Sequence, residues 1–204
     1  GIQLALWGYF KKIVIADRAA VLVNNVIMEN CPYGGAVIAL GILFYCIQLY
    51  CDFSGTMDVA LGMGRVFNVT LPENFRQPFF SRTASEFWQR WHITLGLWFK
   101  DYVYYPISLS KPCKMLTTKA RKRYIFFGLY YFVLIMAGGL IEPPCARAAQ
   151  HFGIDRNSWP YRTFQTVRTL AIIFVGELFF RSNSLEAGLA MMGRIAGDFT
   201  IEAF

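Results

Sequence analysis

GGAVIALGILFYCIQLYC, residues 34–51, decides the fold. In these eighteen residues Gln48 is the only strongly polar side chain. Wound as an α-helix at about 1.5 Å per residue, the stretch is about 27 Å long, close to the minimum that crosses the hydrocarbon core of a bilayer. The same signal recurs along the chain. Residues 124–141 form a second charge-free run, and residues 169–180 are apolar apart from Glu177. The last run reaches spanning length only if residues 164–168 extend it. A carboxyl inside a span is costly unless it faces protein, so Glu177 is expected to point away from lipid. Residues 2–27 are apolar too, but Lys11, Lys12, Asp17 and Arg18 interrupt them. That pattern fits an interfacial helix, or a broken one packed in protein, better than a simple crossing. Composition agrees. Of the 204 residues 55% are hydrophobic, 17% aromatic and only 16% charged, against about 25% charge in soluble domains. The expected fold is all-α: a polytopic transmembrane helical bundle with interfacial and broken helices.

The net charge is +7. In a soluble chain this excess would point to nucleic acid; in an apolar chain it reads as cytoplasmic loop charge, and nucleic acid is not expected as a partner. The charge is concentrated. Lys111, Lys114, Lys119, Arg121, Lys122 and Arg123 follow one another without an acidic residue between. Residues 111–123 are therefore expected to form a cytoplasmic loop in front of an apolar run. Residues 143–160, with three prolines, His151 and Asp155, read as an irregular connection. The five cysteines (Cys31, Cys46, Cys51, Cys113, Cys145) show no CxxC spacing, so zinc and redox motifs are unsupported. No metal site is expected. The chain begins at Gly1 without a signal-peptide pattern and reads as an internal piece of a longer one. No internal repeat, P-loop, hydrolase elbow, HExxH or complete dinucleotide glycine pattern occurs.

The most informative polar stretch is TASEFWQRWHITLGLWFKDYVYYP, residues 83–106. Thr83 and Glu86 have capping-box spacing, each side chain placed to reach the other's backbone N–H, and predict a helix start. Phe87, Trp91, Leu95 and Trp98 then recur as one aromatic stripe. Glu86 and Arg90 stand i, i+4 apart and can pair. Tryptophans interleaved with charge suit a membrane interface. His92 follows Trp91 and lies four residues after Trp88. It is open to two readings, a packed helix histidine or a functional group whose ring titrates near neutrality. Two further patches are polar. At residues 48–55 the apolar helix is expected to end abruptly at Asp52, Ser54 and Gly55, with Asp52 or Ser54 free to cap a new helix. At residues 71–78 two prolines bracket a rigid turn containing Asn74, which reads as a positioning loop.

Four ordered blocks, GYFKKIVIADR (residues 8–18), QLYCDFSG (48–55), PENFRQPFF (72–80) and EFWQRWHITLGLWFKDYVYYPISLSK (86–111), with the tail FVGELFFRSNSLEAGLAMMGRI (174–195), resemble the membrane-bound O-acyltransferase family. The resemblance is to its bacterial branch, which contains alginate O-acetyltransferase and the D-alanyl transfer protein of teichoic acid modification. It covers most of the chain. It implies a polytopic fold around a central tunnel, in which an acyl group passes from a cytoplasmic thioester to a hydroxyl of an extracytoplasmic polymer. The family fold has more spans than this chain holds, so residues 1–204 would be a single membrane domain forming its C-terminal part. Of the family's two functional histidines, His92 matches the one in the RWHxxL helix. The second belongs to a Trp-His-Gly motif, yet Trp-His occurs here only at Trp91-His92. His151 does not match that motif. A segment of the family fold is thus expected to be absent near residues 123–124, and this chain alone is expected to transfer no acyl group.

The resemblance makes the missing second histidine the main catalytic base and gives His92 a catalytic part beside it, orienting or polarising the acyl carbonyl or the acceptor; it gives Asp52, Ser54, Asn74, Arg90, Trp91 and Trp88 places along the tunnel or against substrate. No bound cofactor is implied; the donor substrate is an acyl-coenzyme A or acyl carrier protein thioester. The expected partners are the membrane, that donor, and a cell-envelope polymer (polysaccharide or teichoic acid), reached directly or through a partner acyltransferase. The expected location is the inner or cytoplasmic membrane, multi-pass. Two other readings stay open: a non-catalytic subunit of a polymer acylation or export complex, and a transporter fragment in which Asp52 and Glu177 carry protons or ions.

Overall fold

The structure is a computed structural model. It describes residues 1–27, 32–98, 101–102, 119–151, 153 and 155–200, with the backbone alone over 119–127. The chain divides into two compact units, Gly1–Glu73 with Glu177–Phe204, and Asn74–Gly176. Among the described residues all regular structure is helical, apart from one isolated bridge between Phe75 and Trp91.

The first unit opens with α1 (Ile2–Tyr9), continues through a π-helical segment (Phe10–Ala16), and ends its first arm as α2 (Asp17–Val26). The arm packs along α3 (Gly35–Val66). Close approach is possible because small residues face each other. A Cβ on Gly8 would collide with the carbonyl of Gly55, and a Cβ on Gly62 would stand 2.6 Å from the Ala5 nitrogen. The lysines that interrupt the first apolar run are neutralised across this contact. Lys11 Nζ lies 2.8 Å from Asp58 Oδ2 and donates to Ser54 Oγ at 2.9 Å. Lys12 Nζ lies 2.7 Å from Asp52 Oδ1 and 3.0 Å from Asp17 Oδ1. The arm is therefore an irregular helix with one face packed on α3, while Leu6, Trp7, Phe10, Ile13 and Val14 on its other side are exposed.

Helix α3 corrects an expectation. It does not end at Asp52, Ser54 and Gly55 but runs on to Val66. The polar residues there cap nothing; they answer the lysines of the first arm, and that compensation lets the helix continue. In this unit α8 (Leu185–Gly197) packs against the N-terminal part of α3. Its N-cap Ser184 accepts from the Ala187 N–H at 3.1 Å.

The second unit contains a 3₁₀ turn (Pro78–Phe80), two short helices α4 (Ala84–Arg90) and α5 (Ile93–Trp98), α6 (Lys119–His151), and α7 (Trp159–Arg181) as far as Gly176. Two more expectations are corrected here. Helix α6 begins at Lys119, so the second half of the basic run 111–123 is helix rather than loop, and it passes unbroken through residues 123–124. It also continues through Pro143 and Pro144 to His151, where an irregular connection was expected. Proline removes a donor from the ladder and ordinarily kinks or ends a helix, yet the winding continues through both. Lys111, Lys114, Cys31 and Cys113 lie outside the described residues.

By length and composition α3, residues Gly128–His151 of α6, and α7 are each able to cross a membrane. Phe132, Val133, Met136, Leu140 and Ile141 of α6 are exposed, a surface that lipid accommodates and water penalises. The chain is a membrane protein with an all-α fold.

Candidate active site

His92 is built into a break between two short helices. The capping box is present in modified form. Thr83 Oγ1 accepts from the Glu86 N–H at 3.1 Å, while Glu86 Oε2 accepts from the N–H of Arg82, one residue before the cap, at 2.7 Å. Glu86 Oε1 also accepts from Arg90 Nη2 at 2.5 Å, the expected i, i+4 pair. The helix then stops. Trp91 is extended (φ −103°, ψ 124°), and His92 has φ 45°. The single aromatic stripe expected from Phe87 to Trp98 is thus two helices with a left-handed residue between them.

The reason lies in the proline-bracketed turn. Residues 74–76 run antiparallel beside residues 90–93. Arg76 N–H donates to the Arg90 carbonyl at 3.0 Å, and Ile93 N–H donates to the Asn74 carbonyl at 3.1 Å. Asn74 Oδ1 accepts from both the Thr94 N–H (3.0 Å) and the Thr94 hydroxyl (2.6 Å), capping α5 from twenty residues upstream. The His92 carbonyl accepts the first α5 bond, from Gly96 N–H at 3.2 Å. These bonds fix the backbone on both sides of His92 and hold it in a conformation that non-glycine residues adopt at a cost of order 1 kcal/mol.

Aromatic packing fixes the same hinge from behind. Phe87 is 1% exposed. It stacks on Trp91 at 5.5 Å and meets Trp88 edge-on at 5.3 Å. Trp88 in turn meets Tyr131 of α6 edge-on at 4.9 Å, and Phe75 meets Trp91 edge-on at 5.0 Å. The Tyr131 hydroxyl donates to the Ile173 carbonyl of α7 at 3.3 Å. Trp88 and Trp91 are therefore parts of a wall that links α4 to the two long helices. His92 itself is partly buried, and loss of hydration lowers its pKa below the usual histidine range. Its ring is biased to the neutral form, which can accept a proton.

The structure brings His92, Asn74, Trp88, Arg90 and Trp91 into one local assembly. Asp52 and Ser54 belong to the other unit, where they face Lys12 and Lys11. Glu177 is buried in that unit.

A scan of known families matches residues 8–121 to "MBOAT, membrane-bound O-acyltransferase family". The chain belongs to that family. Its relatives include "Probable alginate O-acetylase AlgI" of Pseudomonas syringae pv. tomato, 29% identical over 95% of this chain and 38% of the relative. "Peptidoglycan O-acetyltransferase" of Helicobacter pylori is 30% identical over 97% of this chain and 38% of the relative. "Teichoic acid D-alanyltransferase" of Bacillus subtilis is 30% identical over 69% and 35%. The chain thus spans about two fifths of the length of the curated relatives it matches. All seven positions named above from residue 52 to residue 92 fall inside the matched family region.

Among the described residues of the second unit two cavities stand out, and His92 lines neither. One, of about 540 Å³, has mainly apolar walls from α6 and α7. The other, of about 660 Å³, is polar and is lined by Arg82, Arg90, Arg156 and Arg162 among others. Sequence reasoning missed this second cluster because its arginines come from two stretches, Arg82 with Arg90 and Arg156 with Arg162, that are far apart in the chain.

Proposed function

We propose that this chain is part of a membrane O-acyltransferase and carries one of its catalytic groups, His92. The reaction is transfer of an acetyl or similar acyl group from a thioester to a hydroxyl of a cell-envelope polymer. The observation that carries the reading is the left-handed His92, fixed between two helices by residues 74–76 inside the region matched to the family. Strain maintained by so many bonds has no packing purpose that a glycine or asparagine would not serve more cheaply.

The chemistry requires a base, a positioned acyl carbon and stabilisation of the oxyanion. Neutral imidazole takes the hydroxyl proton as the new C–O bond forms. The tetrahedral oxyanion then collapses, the C–S bond breaks, and the proton goes to the departing thiolate. Asn74 holds the hinge, and Trp88 and Trp91 keep water from the ring. Asp52 and Ser54 are assigned to tunnel walls, with Arg90 beside the histidine. The second histidine of the family motif has no match here, so activity is assigned to the whole parent protein. The donor is a coenzyme A or carrier-protein thioester approaching from the cytoplasm, where the basic run 111–123 is placed, in the inner or cytoplasmic membrane. An acidic carrier suits that run. The acceptor is reached on the opposite face, directly or through a partner acyltransferase.

The test is acyl transfer in membranes containing the full parent protein with His92→Ala. Loss of transfer at unchanged protein abundance is expected. Unchanged transfer would make His92 a packing residue and sink the assignment.

A further inference from the structure

The apolar cavity of the second unit is a groove along α6, running from Leu134 to Cys145 and walled on its other side by Thr169 and Ile172 of α7. At a rise of about 1.5 Å per residue the groove is about 17 Å long, and about 540 Å³ spread over that length leaves a channel about 6 Å across. A helix with its side chains is about 10–12 Å across and does not fit; a single hydrocarbon chain does. Gly138 and Gly139 line the middle of the groove. A Cβ on either would meet nothing within 4 Å, in contrast to Gly8 and Gly62, where the missing side chain lets a backbone approach. Glycine is the poorest helix former after proline, and no close approach among the described residues accounts for this pair. Their effect is to keep the groove open.

One end of the groove is polar. Thr169 is 2% exposed, and its hydroxyl is buried without a hydrogen-bond partner, a state that is costly unless a ligand answers it. Beside it, on the exposed rim, Arg168 donates one N–H to the Arg82 carbonyl at 3.1 Å. Among the described residues no carboxylate pairs with Arg168. Glu142, which lines the opposite end of the groove, is held by Arg156. The depth of the polar end follows from the helix pairing. Tyr130 and Tyr131 of α6 donate to the Ile172 and Ile173 carbonyls, and Glu142 meets Arg156, so α6 and α7 run antiparallel and Thr169 stands about level with residues 134–135. That level is about 17 Å along α6 from Arg123, near the middle of a hydrocarbon core about 30 Å thick. A guanidinium at mid-depth without a counter-charge marks a place for a partner. A carboxylate accepts from a guanidinium and a hydroxyl together. The ester carbonyls of a bilayer phospholipid stay at the interface and do not reach this level. A single-chain carboxylate drawn in whole does.

We propose that the groove binds a free fatty carboxylate, its head on Arg168 and Thr169 and its chain passing over Gly138 and Gly139 toward Cys145. The length of the groove suits an extended chain of about a dozen carbons. The site is separate from the His92 hinge and does not depend on the acyltransferase reading.

The test is photolabelling of the full parent protein in phosphatidylcholine nanodiscs, with dodecanoate carrying a diazirine at its tail end as the probe. Label falls within residues 138–145, saturates, and is displaced by plain dodecanoate. Dodecanol, and lysophosphatidylcholine with the same twelve-carbon chain, displace it far less. Arg168→Gln weakens binding of the probe about tenfold and Arg168→Lys recovers part of the loss. Thr169→Val weakens it several-fold, and Gly139→Leu, which fills the groove, abolishes the label. Should the variants fail to fold, competition on the wild-type protein decides alone. Equal displacement by dodecanol would show that the head is not read, and equal displacement by the lysophospholipid would give the groove to a phospholipid tail. Label spread over the exposed Phe132 and Met136 would reflect bulk bilayer, and no label in the groove would mean that another part of the parent protein covers it. Each of these four results overturns the proposal.

Discussion

His92 combines two properties that point the same way, a strained backbone and a ring biased to neutrality. Lowering of its pKa has a definite sign. The imidazole stays unprotonated further into acid than a free histidine, so the acid limb of the parent protein's pH–rate profile is expected below pH 6.5 rather than at it. A limb above 6.5 in the wild type would show that another group is titrating. Stability follows the same linkage. The folded state binds its proton less readily than the unfolded chain, so the contribution is intact above the unfolded pKa and is lost as pH falls through the folded one. Asn74 acts on the same residue through geometry alone. Asn74→Ala removes the acceptor for both Thr94 donors and is expected to cost about 1 kcal/mol of stability, as loss of a cap does. Transfer activity should fall by more than that loss explains, because the hinge loosens. Asn74→Asp keeps the oxygen acceptor and should keep most of both. Thermal unfolding measured beside transfer rate separates these outcomes.

At the scale of elements the strongest constraint is the partly buried pair between Lys11 and Asp58. Lys11 is 8% exposed although it carries a charge. Lys11→Met leaves Asp58 without its partner and is expected to cost about 3 kcal/mol. Adding Asp58→Leu should recover most of that, since a buried pair replaced on both sides is near neutral. Chemical denaturation of the three proteins checks the cycle; equal losses in the single and double variants would show that the pair is not what holds the arm to α3. This contact also explains what was legible in the sequence. The apolar run at residues 34–51 marked α3, and Thr83 with Glu86 marked the start of α4. The continuation of α3 past Asp52 was not legible, because polarity inside a helix is tolerated only if a partner elsewhere supplies the opposite charge, and pairing over forty or more residues leaves no local spacing. The break at His92 was hidden for the same reason. Periodicity from Phe87 to Trp98 fits one helix, and only the bonds from residues 74–76 override it.

For the whole molecule, three helices among the described residues have the length and composition of membrane spans, and the family match places the chain in the membrane-bound O-acyltransferase family. The proposed orientation is open to a direct check. Cys145 is an exposed thiol on α6 beyond Pro143 and Pro144, while Cys113 stands in the basic run. In single-cysteine forms of the parent protein, a membrane-impermeant maleimide added outside intact cells should label Cys145 and spare Cys113, and the pattern should reverse in inside-out vesicles. Labelling of Cys113 from outside would invert the assignment of donor and acceptor faces. The fold class was readable from apolar length alone. The grouping of Arg82, Arg156 and Arg162 was not, since it depends on which helix ends meet.

The wide turn between α1 and α2 has a further consequence, for changes in chain length. A π segment winds with more residues per turn, so successive side chains diverge less around the axis. That is how the neighbours Lys11 and Lys12 both reach carboxylates of the same helix, Asp58 and Asp52. A chain shortened by one residue within 10–16 would relax into ordinary α winding, leave the phase of the flanking helices as it is, and send only one ammonium toward α3. Indels here should thus be silent in topology and visible in charge pairing.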